Sequence, residues 1–200
     1  MEDIHPFDNK TFELYLTKTL ADAQPRFIKI GALCSASQIP ILCKTLKAYN
    51  NAEILVDPVF SPSKGKSFIK EAELYLPLLE IATYLSPNLP EIARLSKQLI
   101  DSHQTALEAA KQLAKKFEID ILLKGGHLKL DPIPESYVTP NDVQTHYMPK
   151  RLWAYRHGTG CALGMAFICH LAQGFRAPEA FFKASAWVMN FFDSLNSESS

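Results

Sequence analysis

Apolar side chains recur every three or four residues in several stretches of the chain, and short apolar runs lie between those stretches. The first stripe consists of Phe12, Tyr15, Leu16, Leu20 and Ala23. This spacing places its members on one face and predicts an amphipathic helix. Asp8 precedes the stripe and is the expected N-cap, since its carboxylate can accept a hydrogen bond from a free backbone N–H group of the first turn.

Further helices are predicted along the rest of the chain. They cover residues 37–49, 68–79, the stretch that begins near Pro90, and residues 101–117, 158–174 and 178–194. Ser37 or Ser35 is the expected N-cap of the second helix, because serine is a preferred residue at that position. Pro90 suits a first helical turn, where its missing N–H group does no harm.

Four short apolar runs alternate with these helices and are predicted to be β-strands. They are residues 27–30, 54–56, 81–85 and 119–123. Strands joined through helices pair in parallel with right-handed crossovers. The predicted fold class is therefore α/β, a mostly parallel sheet flanked by helices. It forms a single domain over residues 1–200, with a disordered tail at 194–200.

Residues 131–150 break this alternation. The segment holds four prolines and has alternating residues on either side of Asn141. Alternation is typical of strands rather than helices, and prolines favour turns or edges. The segment therefore predicts a hairpin or a flap.

The composition excludes several classes of protein. Of the 200 residues, 47% are hydrophobic and 21% are charged, and 21 basic residues balance 21 acidic ones. A zero net charge argues against nucleic-acid binding, which depends on clustered Lys and Arg. No apolar run approaches the ~18 residues of a membrane span, so no membrane contact is expected. The four cysteines form no C-x-x-C pair, which fits reduced thiols in the cytoplasm.

Polar or small residues lie just after each of the four predicted strands. They are Gly31, Asp57, Asn88 and Lys124. The carboxyl ends of parallel strands meet at one edge of a sheet, and ligands bind along that edge. Each residue taken alone is also explained by ordinary turn chemistry. As a set they favour a binding edge.

A glycine-rich sequence comes directly before the long apolar helix. It is Gly158, Thr159, Gly160 and Cys161. Glycines let backbone N–H groups point at a ligand, and a helix start adds partial positive charge, so the segment predicts an anion or phosphate cradle. It is not a Walker A loop, because no Gly-Lys-Ser/Thr follows. Cys161 is open to two interpretations, a reactive thiol or a small buried apolar residue.

Five segments in this order resemble the consecutive motifs of one enzyme family. They are residues 29–33, 55–59, 86–91, 123–127 and 157–161. They are similar to those of the hydroxymethylpyrimidine/phosphomethylpyrimidine kinases of thiamine biosynthesis, in the ribokinase superfamily. The Cys of Gly-Thr-Gly-Cys favours these kinases over many ribokinase relatives. Some pyridoxal kinases share that cysteine, so the acceptor vitamin stays open.

The resemblance implies a ribokinase-like, ATP-dependent transfer of a phosphoryl group to a hydroxymethylpyrimidine or its phosphate. It implies that the backbone amides of residues 158–160 bind the transferring group and that Cys161 is the base. Asp57 and Glu91 would organise Mg²⁺. Asn88, Lys124 and Gly126 would reach the phosphates of ATP. The expected partner is a small pyrimidine alcohol or a related vitamin precursor.

The resemblance also indicates a shortened beginning. The family pattern starts about 60–70 residues earlier for a domain of the usual size, so the first strand or strands and much of the acceptor pocket have no counterpart here. An exposed sheet edge would result, and a homodimer would cover it. The alternative is a degenerate, non-catalytic protein that binds nucleotide or serves as an interaction protein.

Overall fold

A six-stranded sheet forms the centre of the molecule. The structure is a computed structural model that describes residues 5–60, 69, 71–126, 131–149 and 158–197. In chain order the strands are β1 (Phe27–Ile30), β2 (Glu53–Val56), β3 (Tyr84–Leu85), β4 (Asp120–Leu123), β5 (Ile133–Val138) and β6 (Val143–Met148). They lie side by side in that same order.

Seven α-helices are present in the described part of the chain. They are α1 (Asn9–Ala23), α2 (Ile39–Leu46), α3 (Leu76–Leu79), α4 (Leu89–Ser96), α5 (His103–Phe117), α6 (Thr159–Ala172) and α7 (Ala177–Ser197). Two short 3₁₀ segments, Ala36–Gln38 and Ala72–Tyr75, precede α2 and α3. Within these described ranges, no helix has the length and apolar character that crossing a bilayer requires.

The strand pairing confirms the predicted α/β class. Strands β1 to β4 pair in parallel. Strand β5 runs antiparallel to β4, and β6 runs antiparallel to β5. The predicted hairpin at residues 131–150 is therefore confirmed, and it adds two strands to the parallel part of the sheet.

Two apolar cores lie on opposite faces of the sheet. Side chains alternate along β2, so that Ile54 and Val56 pack with helices α1 to α5. Leu55 points to the other face and packs with Phe167 of α6 and Phe181 of α7. All five side chains are 3% exposed or less, which is typical of strands buried on both faces. The site described below lies at the carboxyl end of these strands, on the α6 face.

Helix ends follow the predicted chemistry in one place and depart from it in another. Asp8 caps α1, because its Oδ1 accepts a hydrogen bond of 3.0 Å from the Thr11 N–H. The predicted N-cap of the second helix is confirmed only in part. Ser35 is the N-cap of the 3₁₀ segment that leads into α2, without a side-chain hydrogen bond, whereas Gln38 occupies the N-cap of α2 itself. The Ser37 hydroxyl instead donates to Asn9 Oδ1 at 2.8 Å.

Three predicted boundaries need correction. The predicted start of the third helix at residue 68 lies outside the described residues; within them, residues 69 and 71 are not helical and regular α-helix begins only at Leu76, since Pro77 lacks the N–H group that an α-helix interior requires. Strand β3 starts at Tyr84 rather than Ile81, because the Ile81 N–H still bonds to Leu78 O at 3.3 Å in the turn after α3. Helix α7 continues to Ser197, so residues 194–197 are helical rather than a disordered tail.

Candidate active site

Asp57 and Lys124 meet at the carboxyl edge of the sheet. Asp57 follows β2 and Lys124 follows β4, and Lys124 Nζ donates to Asp57 Oδ1 at 3.1 Å. Their side chains are 2% and 11% exposed, so this is a buried ion pair. A parallel bridge between Lys124 and Asn88 brings the end of β3 to the same place. The predicted gathering of strand ends at one edge is confirmed for Asp57, Asn88 and Lys124, and the fourth residue, Gly31, follows β1 of the same parallel set.

A second lysine contacts the same carboxylate. Lys29 lies in β1, and its Nζ donates to Asp57 Oδ2 at 3.3 Å. Lys29 pairs in register with Leu55, whose side chain belongs to the core beneath α6. Lys29 is a site residue that was not predicted from the sequence. The sequence could have identified it, since Lys29 is a charged residue inside an apolar parallel strand. A buried charge of this kind needs a buried partner.

Glu91 enters the site through the cap of α4. Asn88 Oδ1 accepts a hydrogen bond of 2.9 Å from the Glu91 N–H, and Glu91 Oε2 accepts one of 2.7 Å from the Asn88 N–H. This reciprocal capping box fixes both side chains. Glu91 Oε2 also lies 3.7 Å from Lys124 Nζ. Because the side-chain oxygen of Asn88 caps the helix, its Nδ2 is the atom that could donate to a ligand.

The glycine-rich segment forms the start of α6. Gly158 is the N-cap with φ 90°, a left-handed conformation that favours glycine, and Thr159, Gly160 and Cys161 form the first turn. Backbone N–H groups in a first turn have no acceptor within their own helix. A Cβ added at Gly160 would lie 3.6 Å from Lys124 Nζ, so the ammonium group lies beside this turn.

Two further predicted residues occupy peripheral positions. Cys161 is solvent-exposed, as a reacting thiol requires, and its side chain contributes to the electrostatic surroundings of Lys124. Gly126 lies in the turn after β4, and a Cβ added there would meet no described atom within 4 Å. His157, the first residue of the segment 157–161, lies outside the described residues.

Burial and charge act in opposite directions on the ionisable groups. Burial favours a neutral Asp57, but Lys124 and Lys29 outweigh it and hold the pKa of Asp57 below its usual value. Burial raises the pKa of Glu91, and Lys124 offsets only part of that effect. Burial also disfavours charge on Lys124, yet Asp57 and Glu91 raise its pKa. At neutral pH the site therefore holds a charged Asp57–Lys124 pair.

The donor atoms of the site fit a magnesium ion. The carboxylates of Asp57 and Glu91 both contact the Lys124 ammonium, so the structure already has a cation between them. Oxygen ligands of this kind, together with water, are those that Mg²⁺ prefers. Ser86 follows β3, its N–H donates to Val56 O at 2.9 Å, and its buried hydroxyl has no hydrogen-bond partner among the described residues.

The site is suited to phosphoryl transfer. It combines a parallel sheet edge, a buried lysine, two carboxylates and a helix that begins at glycine. Phosphoryl transfer depends on positioning and on neutralising the charge of the transferring group, and these residues supply both. The fold and site therefore define a phosphotransferase with a ribokinase-like fold.

Comparison with known proteins identifies the family. The family model of phosphomethylpyrimidine kinase matches residues 1–197. The chain therefore belongs to the phosphomethylpyrimidine kinase family, which confirms the resemblance noted in its motifs. A hydroxymethylpyrimidine/phosphomethylpyrimidine kinase from Staphylococcus aureus (strain MSSA476) is 26% identical over 193 residues, which cover 94% of this chain and 70% of the relative.

Solved structures support the same fold. Pyridoxal kinase from Staphylococcus aureus in complex with ADP has a TM-score of 0.83 and 28% identity, covering 93% of this chain and 69% of that one. Phosphomethylpyrimidine kinase from Clostridium difficile 630 has a TM-score of 0.80 and 22% identity, covering 95% and 79%. At that lower identity the second comparison concerns the fold alone.

Proposed function

We propose that this protein transfers the γ-phosphoryl group of ATP, with Mg²⁺, to the hydroxyl of a hydroxymethylpyrimidine or to the phosphate that this group becomes. One observation supports the proposal most directly. Lys124 contacts Asp57 at 3.1 Å and Glu91 at 3.7 Å directly beside the first turn of α6. This arrangement has both a cation for phosphate oxygens and carboxylates for a metal ion.

The phosphate oxygens bind to the backbone amides of Gly158, Thr159 and Gly160. The unpaired N–H groups and the helix dipole stabilise the negative charge that spreads over the transferring group. Lys124 and the Nδ2 of Asn88 donate to the other phosphates of ATP. Gly126, beside open space after β4, lets its backbone approach the nucleotide.

Asp57 and Glu91 hold Mg²⁺, directly or through water. When bound, the ion neutralises phosphate charge and orients the oxygens for in-line transfer. Glu91 is fixed for this task by the capping box with Asn88. Asp57 is fixed by its two lysine partners.

Cys161 is the base of the reaction. It lies on the first turn of α6, in the turn that binds the transferring group, and its side chain faces solvent from which an acceptor can enter. The thiolate takes the proton of the acceptor hydroxyl as that oxygen attacks the γ-phosphorus. The leaving ADP keeps the electron pair of the broken bond.

Pyridoxal is the second candidate acceptor. The Staphylococcus aureus pyridoxal kinase, 28% identical to this chain, is solved in complex with AMP-PCP and pyridoxal. A non-catalytic nucleotide-binding or interaction protein is the third candidate. It would retain the charged cluster and lack turnover with any acceptor.

A homodimer accompanies the proposed activity. Strand β1 is at the edge of the described sheet, and exposed apolar side chains of Phe7, Leu14 and Tyr15 lie on or beside α1. A second copy would cover such surface. All four cysteines are free thiols, which supports a reducing compartment such as the cytoplasm. Light scattering after size exclusion measures the oligomeric state.

A phosphorylation assay with Mg-ATP tests the acceptor. The panel contains hydroxymethylpyrimidine, its monophosphate and pyridoxal, with Lys124→Met as the inactive control. We expect kcat/KM for a pyrimidine acceptor to exceed that for pyridoxal by about tenfold or more, since a site that hydrogen-bonds one ring discriminates against another. A higher kcat/KM for pyridoxal would contradict the proposal that the acceptor is a hydroxymethylpyrimidine. Nucleotide binding without turnover on any acceptor would favour the non-catalytic candidate.

A further inference from the structure

Each oxygen of the Asp57 carboxylate has its own lysine. Lys124 Nζ lies 3.1 Å from Oδ1, and Lys29 Nζ lies 3.3 Å from Oδ2. Both lysine side chains are 11% exposed, while Asp57 is 2% exposed. Glu91 contacts Lys124 at 3.7 Å, so these four groups carry two positive and two negative charges. The proposed function assigns Lys124, Asp57 and Glu91 to the nucleotide and the metal ion, and it names Lys29 only as a partner of Asp57.

The two lysines differ in their surroundings. A Cβ added at Gly164 would lie 2.6 Å from Lys29 Cε and 3.3 Å from Leu55 Cδ2, so the Lys29 stem is confined between α6 and the sheet. Lys124 Nζ lies near Gly160, four residues earlier in α6 and about one helical turn closer to its start. Lys124 is therefore at the end of α6 where an anion binds, and Lys29 is held one turn deeper.

We propose that Lys29 is a positioning residue, the fixed counter-ion of Asp57 that allows Lys124 to move from Asp57 to the phosphates of the nucleotide. The inference rests on the proposed function. When Lys124 binds phosphate, a buried Asp57 without another partner would lose its compensating charge, which is costly. Lys29 remains on Oδ2 and keeps the carboxylate paired. Lys124 is the exchangeable partner, and Gly164 provides the space that keeps Lys29 in place.

Binding of AMP-PCP in EDTA, measured by titration calorimetry, tests this role without the metal ion. In Lys29→Met, Lys124 is needed at Asp57, so the Kd of AMP-PCP should rise by about tenfold or more. In the Asp57→Asn background there is no carboxylate to compensate, so the same Lys29→Met change should have a much smaller effect. The inference would be overturned if Lys29→Met weakened AMP-PCP binding as much in the Asp57→Asn background as in the parent protein, or more. Lys29 would then act on the phosphate or on the fold.

Three controls make the outcome specific. Gly164→Ala leaves every charge in place but displaces the Lys29 stem, and it should weaken AMP-PCP binding in the same direction as Lys29→Met. Lys18→Met removes an exposed lysine of α1 and should leave the Kd unchanged. Circular dichroism verifies that each variant folds. If Lys29→Met does not fold, Gly164→Ala provides the test in its place. Unchanged AMP-PCP binding in Gly164→Ala would then overturn the inference. If the unaltered protein binds AMP-PCP neither in EDTA nor with Mg²⁺, the proposed function fails; if it binds in EDTA and Lys29→Met binds equally well, only the role of Lys29 fails.

Discussion

At the scale of single residues, two ammonium groups contact the two oxygens of one buried carboxylate, that of Asp57. Burial alone would favour the neutral acid, yet the pKa of Asp57 is lowered because the two lysines outweigh it. Removing one partner from such a cluster leaves an uncompensated buried charge. Asp57, Lys29 and Lys124 therefore act as one unit, and each affects stability as well as the proposed chemistry.

The lowered pKa of Asp57 predicts a loss of stability in acid. The folded pKa lies below the ordinary 3.8, so the folded state favours the ionised carboxylate. This contribution to the free energy of unfolding is fully present above the unfolded pKa, and it is lost as the pH falls from there through the folded pKa. Urea denaturation from about pH 5 to about pH 2 measures it. Asp57→Asn should show a shallower loss in this window, and identical slopes would contradict the prediction.

The thiol of Cys161 is expected to affect turnover without affecting nucleotide binding. Cys161→Ala should lower kcat by about 100-fold to 10,000-fold, the range typical of a lost general base. The Kd of AMP-PCP should stay near that of the unaltered protein, because the backbone amides of the turn remain. Cys169→Ala is the matched control, since Cys169 is an exposed cysteine of the same helix. Unchanged turnover in Cys161→Ala would remove the thiol from the mechanism.

At the scale of secondary-structure elements, two helix starts form the site. The capping box at Asn88 and Glu91 fixes the start of α4, and the left-handed Gly158 fixes the start of α6. Both helix starts are formed by a few neighbouring residues, and both lie at the carboxyl edge of the sheet. The contribution of each to stability can therefore be measured separately from its contribution to ligand binding.

Asn88 allows its cap and its amide to be tested separately. Asn88→Ala should lower the free energy of unfolding by about 1 kcal/mol through loss of the cap. Asn88→Ser keeps a capping oxygen and loses Nδ2, so it should retain most of the stability and still raise the KM for ATP. Ser102→Ala removes the cap of α5, which no proposed ligand group shares, and should reduce stability without changing the KM. A normal KM in Asn88→Ser would exclude the amide from phosphate binding.

Gly158 and Gly174 provide a matched pair at the two ends of α6. Both have φ 90°, and a Cβ added at either would meet no described atom within 4 Å. Substitution by Ala should therefore cost about 1–2 kcal/mol of stability at each position through backbone strain alone. Gly158→Ala should also weaken AMP-PCP binding, and Gly174→Ala should not. Equal affinities in the two variants, measured by calorimetry beside urea denaturation, would contradict an anion cradle at Gly158.

At the scale of the whole molecule, the sheet separates two cores and presents one edge to ligand. Helices α1 to α5 cover one face, and α6 and α7 cover the other. The charged cluster is at the carboxyl end of β1, β2 and β4, with the start of α6 beside it. A nucleotide bound there would join elements from both faces and stabilise the folded protein as a whole.

Mg-ATP is expected to raise the melting temperature. At a ligand concentration about 100 times Kd, the stabilisation of about 2.7 kcal/mol corresponds to about 5–10 °C for a protein of this size. Differential scanning fluorimetry measures the shift. Lys124→Met should abolish it, whereas Lys18→Met, on the surface of α1, should retain it. The absence of a shift in the unaltered protein would contradict nucleotide binding.

The sequence predicted much of the architecture and several residues that the structure brings together. The strands at 27–30 and 119–123 lie within a residue of their structural bounds, and the hairpin after residue 131 is present. Asp57 and Lys124 were predicted from their places after strands and Glu91 from the family resemblance, and Lys124 contacts both carboxylates. The boundaries of α2, α3 and β3 were missed. Proline and 3₁₀ turns altered the starts of the two helices, and the turn after α3 delayed the start of β3, and periodicity alone places neither.

Local pattern determined most of the segments that form helices and strands, the N-cap at Asp8 and the places where glycine permits a left-handed turn. These properties depend on neighbours within a few positions, so one sequence suffices to predict them. Tertiary structure alone decided that Lys29 pairs with Asp57 across 28 residues and Lys124 with Asp57 across 67. It also decided that Gly164 makes room for the Lys29 stem. Such contacts depend on strand order and helix packing, which periodicity along the chain does not predict.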